Sequence, residues 1–191
     1  MGSSYFTNPV VFLIQVLFGA YILVVMLRFL LQLVKADFYN PISQFIVKAT
    51  SPVLIYLRRI IPGLGGIDLS SVVFMWVLKA IELTLIVALA GLPLNLMVFA
   101  WAIPELVRLA FNVFIFSILI QVILSWVNPG AYNPATALIN SLTEPVLRPA
   151  RKIIPPMGGL DLSPMATMIG LYLLQMLLLP PLLHLTGSPF R

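Results

Sequence analysis

The residues of this chain that could do chemistry are few, and most of them stand where charge is expensive. Lys79 and Glu82 lie three apart inside one apolar run, and Arg28 lies inside another. At the middle of a membrane span each such charge costs ~2.5 to 3.5 kcal/mol on insertion scales. An i, i+3 pair of opposite sign neutralises itself on one helix face. Such groups serve either as a relay for protons or ions or as interhelical hydrogen-bonding glue, and glue, the commoner use of sparse buried polar groups, is the expectation here. Glu105 and Arg108 open a third apolar run, where a solvated pair is the expectation. General acid-base and metal chemistry lack reagents. The chain has no cysteine, a single histidine, His184, with nothing at ligand spacing around it, and no clustered carboxylates. No cofactor is implied, and the expectation is a protein that is not an enzyme.

The elements that must position these residues are long apolar helices. A chain of 191 residues that is 61% hydrophobic, 9% charged and of mean hydropathy +1.07 does not describe a water-soluble surface. Residues 10–34, 71–90, 105–127 and 164–185 each approach the ~20 residues needed to cross roughly 30 Å of hydrocarbon. Four spans follow, in an all-α integral membrane fold. The first is a poor cleavable signal, because no positive charge precedes it and it is too long for the apolar core of a signal peptide. The absence of cysteine excludes disulfides, thiolate metal sites and palmitoylation.

The chain also says the same thing twice, 93 residues apart and without a gap. Tyr39-Asn40-Pro41 falls on Tyr132-Asn133-Pro134, Pro52-Val53-Leu54 on Pro145-Val146-Leu147, Arg58 on Arg151 and Ile60-Ile61-Pro62 on Ile153-Ile154-Pro155. Gly65-Gly66-x-Asp68-Leu69-Ser70 falls on Gly158-Gly159-x-Asp161-Leu162-Ser163, so 17 of the 32 positions from 39 to 70 are identical. Repeats of this kind settle architecture before any local reading does. Each unit reads span, polar loop, span, so both units start and end on the same side of the membrane as parallel tandem repeats.

The expected division is a first repeat over 1–91, an apolar interfacial linker over 92–104 and a second repeat over 105–191. The stretch 91–104 is too short for a fifth span, rising only about 21 Å as a helix at ~1.5 Å per residue, and Pro93 and Pro104 interrupt it. Seven of the eleven basic residues sit in the two loops, and the N-terminal stretch has none. By the positive-inside rule both loops are cytoplasmic and both termini face out.

Each loop opens on Asn-Pro, an N-cap followed by proline at the first helical position. Ile42, Phe45, Ile46 and Ala49 share a helical face, as do Ala135, Leu138, Ile139 and Leu142. Pro52 and Pro145 then begin a second short helix ending in Arg58-Arg59 or Arg151-Lys152, with Pro149 interrupting the second copy. An amphipathic helix beside a span, carrying Arg58, Arg59, Arg148, Arg151 and Lys152, is expected to lie in the headgroup layer on anionic lipid and to face partners; folding back onto the span bundle is the alternative. The glycine turn follows, with Ser70 or Ser163 expected to cap the next span. Asp68 and Asp161 are expected to form Asx-type turns; the alternative is that they hold Arg58, Arg59 or Arg151, or meet a partner or ion. No Gly-Lys-Ser/Thr ending follows the glycines, so this is not a phosphate-binding loop. Repetition also relates the intramembrane groups: Gln121 stands for Arg28, Tyr172 for Lys79 and Gln175 for Glu82, so polarity is kept and charge is lost.

Asp37-Phe38-Tyr39-Asn40-Pro41, the two Pro-Val-Leu segments, the basic pair before Ile-Ile-Pro and the Gly-Gly-x-Asp-Leu-Ser turn resemble the YggT family, also called YlmG. The resemblance covers nearly the whole chain as two copies of the family domain, the second, with Pro164 after Ser163, being the closer match. It implies a small bacterial inner-membrane protein without an established enzymatic activity. The family is associated with membrane-complex assembly, cell division and nucleoid distribution in cyanobacteria and plastids, and with osmotic-stress tolerance in bacteria. The expected function is therefore an organising or assembly factor whose partners are anionic membrane lipids and division or assembly proteins, with self-association open and no direct nucleic-acid contact. The alternative is a transport or ionic-stress component in which Arg28, Lys79, Glu82, Gln121, Tyr172 and Gln175 line a polar path.

Overall fold

The computed structural model describes residues 3–127, 130, 133–154 and 161–189, with side chains described from residue 8. Six helices make up the described chain: α1 (Ser3–Leu33), α2 (Pro41–Ile60), α3 (Leu69–Leu89), α4 (Val98–Val127), α5 (Pro134–Ile153) and α6 (Ser163–Thr186). Four of them, α1, α3, α4 and α6, are long and apolar enough to cross a membrane. The fold is all-helical, two span-arm-span units in tandem. Within each unit the two spans pack on one another and the arm, α2 or α5, packs on both.

The arms are single helices. No break falls at Pro52, Pro145 or Pro149, all of which lie inside α2 or α5. Proline removes one N–H, that of the bond to the carbonyl four residues back, and hydroxyls in the preceding turn bond to other carbonyls of the same helix. Thr50 Oγ1 donates to the Ile46 carbonyl at 2.7 Å, Ser51 Oγ to that of Val47 at 2.6 Å, and Thr143 Oγ1 lies 2.8 Å from that of Ile139.

The linker is shorter than expected. Val98 starts α4, so 98–104 are its first two turns rather than interfacial chain, and 92–97 alone connect the units. Asn95 Oδ1 accepts from Met97 N at 3.0 Å and starts the helix. Val98 and Ala102 are buried against Ala80, Leu83 and Val87 of α3, with Trp76 and Trp101 at the edges of this cluster. That burial outweighs the one backbone bond lost at Pro104, itself fully buried inside α4. At ~1.5 Å per residue a helix of this length runs about 45 Å, more than the hydrocarbon thickness, so it tilts or protrudes.

The spans form an open arc in which α1 packs on α3, α3 on α4 and α4 on α6, while α1 and α6 do not touch among the described residues. The main core lies where α1, α3 and α4 meet the arms, around Ile22, Val25, Met26, Leu54, Met75, Val113 and Leu142. Both arms lie at one end of the bundle, where Asn40 Nδ2 donates to the Pro134 carbonyl at 2.7 Å.

Candidate functional site

Two structures set the polar side chains in place: a docked arm, present in both repeats, and a charged cluster at the junction between repeats.

Each arm docks by a polar contact at the same repeat position. Arg28 is 5% exposed; its Nη1 donates to Thr50 Oγ1 at 2.5 Å, with Ser51 Oγ at 3.3 Å and the Val47 carbonyl at 3.2 Å. In the second repeat the Thr143 hydroxyl donates to Gln121 Oε1 at 2.6 Å, with the Ile139 carbonyl 2.8 Å away. Thr50 and Thr143 are fully buried, so arm and span share one desolvated hydrogen bond in each copy, charge-assisted only in the first. The buried stripe of α2 is Ser43, Ile46, Thr50 and Leu54; Ile42 and Phe45 lie outside it and are exposed. In α5 the stripe is Thr136, Leu138, Leu142, Thr143 and Leu147, and Ala135 is exposed. The arms therefore do fold back on the bundle along one face, because the helix has enough apolar and hydroxyl residues for an inner stripe. A second apolar set, including Phe45, Tyr56, Ile60 and Ile153, stays outside.

The aspartates lock the far end of each arm. Asp68 Oδ2 accepts from Arg58 Nη2 at 2.5 Å and from Ser71 Oγ at 2.6 Å, and its side chain is 4% exposed. Asp161 Oδ2 accepts from Arg151 Nε at 3.1 Å, while its Oδ1 accepts from the amide and hydroxyl of Ser163 in an Asx-type turn. So the ion pair is present in both copies and the Asx turn in the second. Ser70 does not cap α3; its hydroxyl donates to the Ile61 carbonyl at 2.8 Å, and Asp68 occupies the cap position. Ser163 is the first residue of α6 and Leu162 its cap. Gly65 and Gly66 turn the first copy at φ 59° and 86°, where side-chain crowding favours glycine; Gly158 and Gly159 lie outside the described residues. Burial works to raise the Asp68 carboxyl, but the hydrogen bonds from Arg58 and Ser71 outweigh it and hold its pKa below the usual carboxylate range. Asp161 follows the same logic, burial being overcome by Ser163 and then Arg151, and its pKa is likewise lowered.

These locks divide the basic residues. Arg58 and Arg151 are occupied, Arg151 also meeting Glu144 at 2.7 Å. Among the described residues Arg59, Arg148 and Lys152 have no ion pair, Arg59 lying 5.8 Å from the Tyr56 ring centre, and all three are exposed.

The intramembrane set is only partly brought together. Lys79 Nζ and Glu82 Oε1 are 2.9 Å apart, as the spacing predicts, and Glu82 is 2% exposed. Lys79 shares a cavity not with Arg28 and Gln121, which belong to the docks, but with Glu105 and Arg108 of α4, themselves 3.3 Å apart. Lys79, Glu105, Arg108 and Asn112 line a cavity of about 150 Å³ with Gly19 and Ile22 of α1. Glu82 Oε2 and Glu105 Oε1 are buried with no hydrogen bond among the described residues. Tyr172, by contrast, is 49% exposed and Gln175 partly exposed on the outer side of α6, so neither lines this cavity. Glu105 and Arg108 thus pair at this cavity with side chains 17% and 31% exposed. The sequence signal was available: Glu105, Arg108 and Asn112 recur at i, i+3, i+7, one face of the early α4 turns. Among the described residues no His, Asp and Glu gather at metal-binding spacing.

Comparison with known proteins returns the same duplication. The CCB3/YggT family is matched twice, over residues 7–89 and 100–182, two segments offset by the same 93 residues. An uncharacterized protein of Pseudomonas aeruginosa is 48% identical over 182 residues, covering 94% of this chain and 92% of its own length. The uncharacterized protein YggT of Escherichia coli K12 is 37% identical over 169 residues and 88% of each chain. The uncharacterized protein ycf19 of the alga Porphyra purpurea is 35% identical over 68 residues, 35% of this chain and 68% of its own, a length near that of one repeat. No solved structure matches.

Proposed function

The chain belongs to the CCB3/YggT family, and from that footing we propose that it is a bacterial inner-membrane organising or assembly factor that presents two rigid basic arms to cytoplasmic lipid and protein partners. The observation that carries this reading is the paired dock and lock. Each arm is fastened near its middle by Arg28–Thr50 or Gln121–Thr143 and near its end by Arg58–Asp68 or Arg151–Asp161. What remains outward is a surface of Phe45, Tyr56, Ile60 and Ile153 with Arg59, Arg148 and Lys152 among them. Bulky apolar groups beside exposed cations suit the boundary between acyl chains and anionic headgroups. Cytoplasmic placement of the arms follows from their share of the basic residues. No chemical step is assigned to either arm. The test is reconstitution of the full chain in nanodiscs of phosphatidylglycerol or phosphatidylcholine, with bound lipid counted by native mass spectrometry. Anionic lipid should be retained in preference, with ~1 kcal/mol per basic residue, and Arg59→Gln with Arg148→Gln and Lys152→Gln should abolish the preference. Equal retention of both lipids would sink the lipid-facing reading. Placement is tested by thiol labelling at Lys48→Cys and Arg148→Cys, both of which should react only once the cytoplasm is opened.

A second reading, a transport or osmotic-stress role, is favoured by one observation: the cavity between α1, α3 and α4 is lined by the charged and polar side chains of Lys79, Glu105, Arg108 and Asn112. It predicts that Lys79→Met with Glu82→Gln is abundant in the membrane and fails to support growth under ionic stress. Normal growth of that variant would remove it.

A further inference from the structure

The packing of the two repeats is not closed, and that is where the structure points beyond the single chain. If the repeats were related by a two-fold axis, the contact of α3 on α4 would require an equal contact of α6 on α1. Those helices do not touch among the described residues. An open, head-to-tail relation of this kind leaves one free donor face and one free acceptor face, which a further copy can use.

The offset of 93 residues identifies both faces. On α3 the stripe Trp76, Ala80, Leu83 and Val87 packs on α4. Its counterparts on α6, Ile169, Leu173, Met176 and Pro180, are all exposed, the first three at 54%, 55% and 69%. On α4 the face toward the junction includes Ala102, Leu106, Leu109 and Val113. Its counterparts on α1, Pro9, Leu13, Val16 and Ala20, are likewise exposed.

Exposure of apolar residues to lipid needs no partner, but polar residues at the same places do. The charged junction pairs Lys79 and Glu82, Glu105 and Arg108 have counterparts Tyr172 and Gln175 on α6, Phe12 and Gln15 on α1. Gln15 is exposed and Gln175 partly so, and neither side chain hydrogen-bonds to a described residue. An amide facing hydrocarbon without a partner is unfavourable, whereas amides between helices are common interhelical glue.

We infer that this chain binds a second copy of itself head to tail, the outer face of α6 packing on the outer face of α1 of the next copy as α3 packs on α4 within the chain. Tyr172 and Gln175 then meet Gln15, a neutral version of the charged junction. This inference does not depend on the lipid-facing reading.

The chain has no cysteine, so single thiols report cleanly. Lys79 and Leu106 line one cavity at the internal junction, and their counterparts are Tyr172 and Leu13. Full-length Tyr172→Cys and Leu13→Cys variants carrying different tags, co-expressed and oxidised in native membranes, should give a disulfide-linked pair bearing both tags, and neither variant alone should cross-link. Native mass spectrometry of the unsubstituted chain should give dimers or larger assemblies. Cross-linking of either variant with itself, or an oligomer by mass without the mixed cross-link, overturns the assignment of faces. A monomer by mass without the mixed cross-link overturns self-association.

Discussion

The two repeats are the natural comparison, because they carry the same backbone plan with different electrostatics. In the first, an arginine docks the arm, a nearly buried aspartate locks it, and a Lys–Glu pair sits mid-span. In the second, a glutamine docks the arm, the aspartate is 39% exposed, and the mid-span positions are Tyr172 and Gln175. Position 51 and its counterpart 144 show the same divergence: Ser51 turns inward toward Arg28, whereas Glu144 turns outward to Arg151. The docks therefore need a hydrogen bond but not a charge, whereas the lock is an ion pair in both copies. Charge within the spans is thus confined to Arg28 and to the junction of α3 and α4, while the second repeat keeps its ion pairs at the exposed end of its arm.

The sharpest way to break the comparison is to strand a charge. Lys79→Met leaves Glu82 buried with no cation beside it and should cost about 3 to 5 kcal/mol, read as loss of folded, membrane-inserted protein. The counterpart change Tyr172→Phe should leave the level unchanged, and adding Glu82→Gln to Lys79→Met should restore it. A full-level Lys79→Met single variant would mean that the pair is not structural.

The docks come next. Thr50→Val removes the shortest partner of a buried guanidinium and should cost about 1.5 to 3 kcal/mol, whereas Thr143→Val removes a neutral bond worth about 0.5 to 1.5. Hydrogen exchange of α2 and α5 in detergent should rise in that order. Equal effects would mean that charge adds nothing to the dock.

The locks should differ with pH. The folded-state pKa values of Asp68 and Asp161 are both lowered, so their stabilisation is present above the unfolded value of about 3.9 and is lost as pH falls through the folded value. The loss should be larger for Asp68, because both members of the Arg151–Asp161 pair are more than a third exposed and water screens them. Melting of the protein in detergent between pH 7 and 3 should lose part of its pH dependence in Asp68→Asn and less of it in Asp161→Asn. The smallest effect is expected at Glu144, whose side chain is 52% exposed. Glu144→Gln should shift stability by less than about 0.5 kcal/mol, and a larger shift in melting would show that its pair with Arg151 is shielded.

The sequence by itself determined the duplication, the four spans, the helical arms starting at Asn40-Pro41 and Asn133-Pro134, and the Lys79–Glu82 pair. Those are local or periodic properties: run length, an N-cap with proline, an i, i+3 spacing and a fixed offset of 93 residues. Only the tertiary structure decided that the arms run unbroken through their prolines, that α4 begins at Val98, that Asp68 and Asp161 take Arg58 and Arg151, and that Arg28 answers Thr50 rather than joining Lys79. Each of these turns on which groups are desolvated together. Burial of the arm stripes against the spans, and burial around Pro104, outweigh what proline removes, so a breaker signal that is right for an isolated peptide fails here. Local spacing reads Glu105 and Arg108 as a solvated pair, whereas the fold sets them around one cavity with Lys79 of α3, because packing between segments leaves no mark in local spacing.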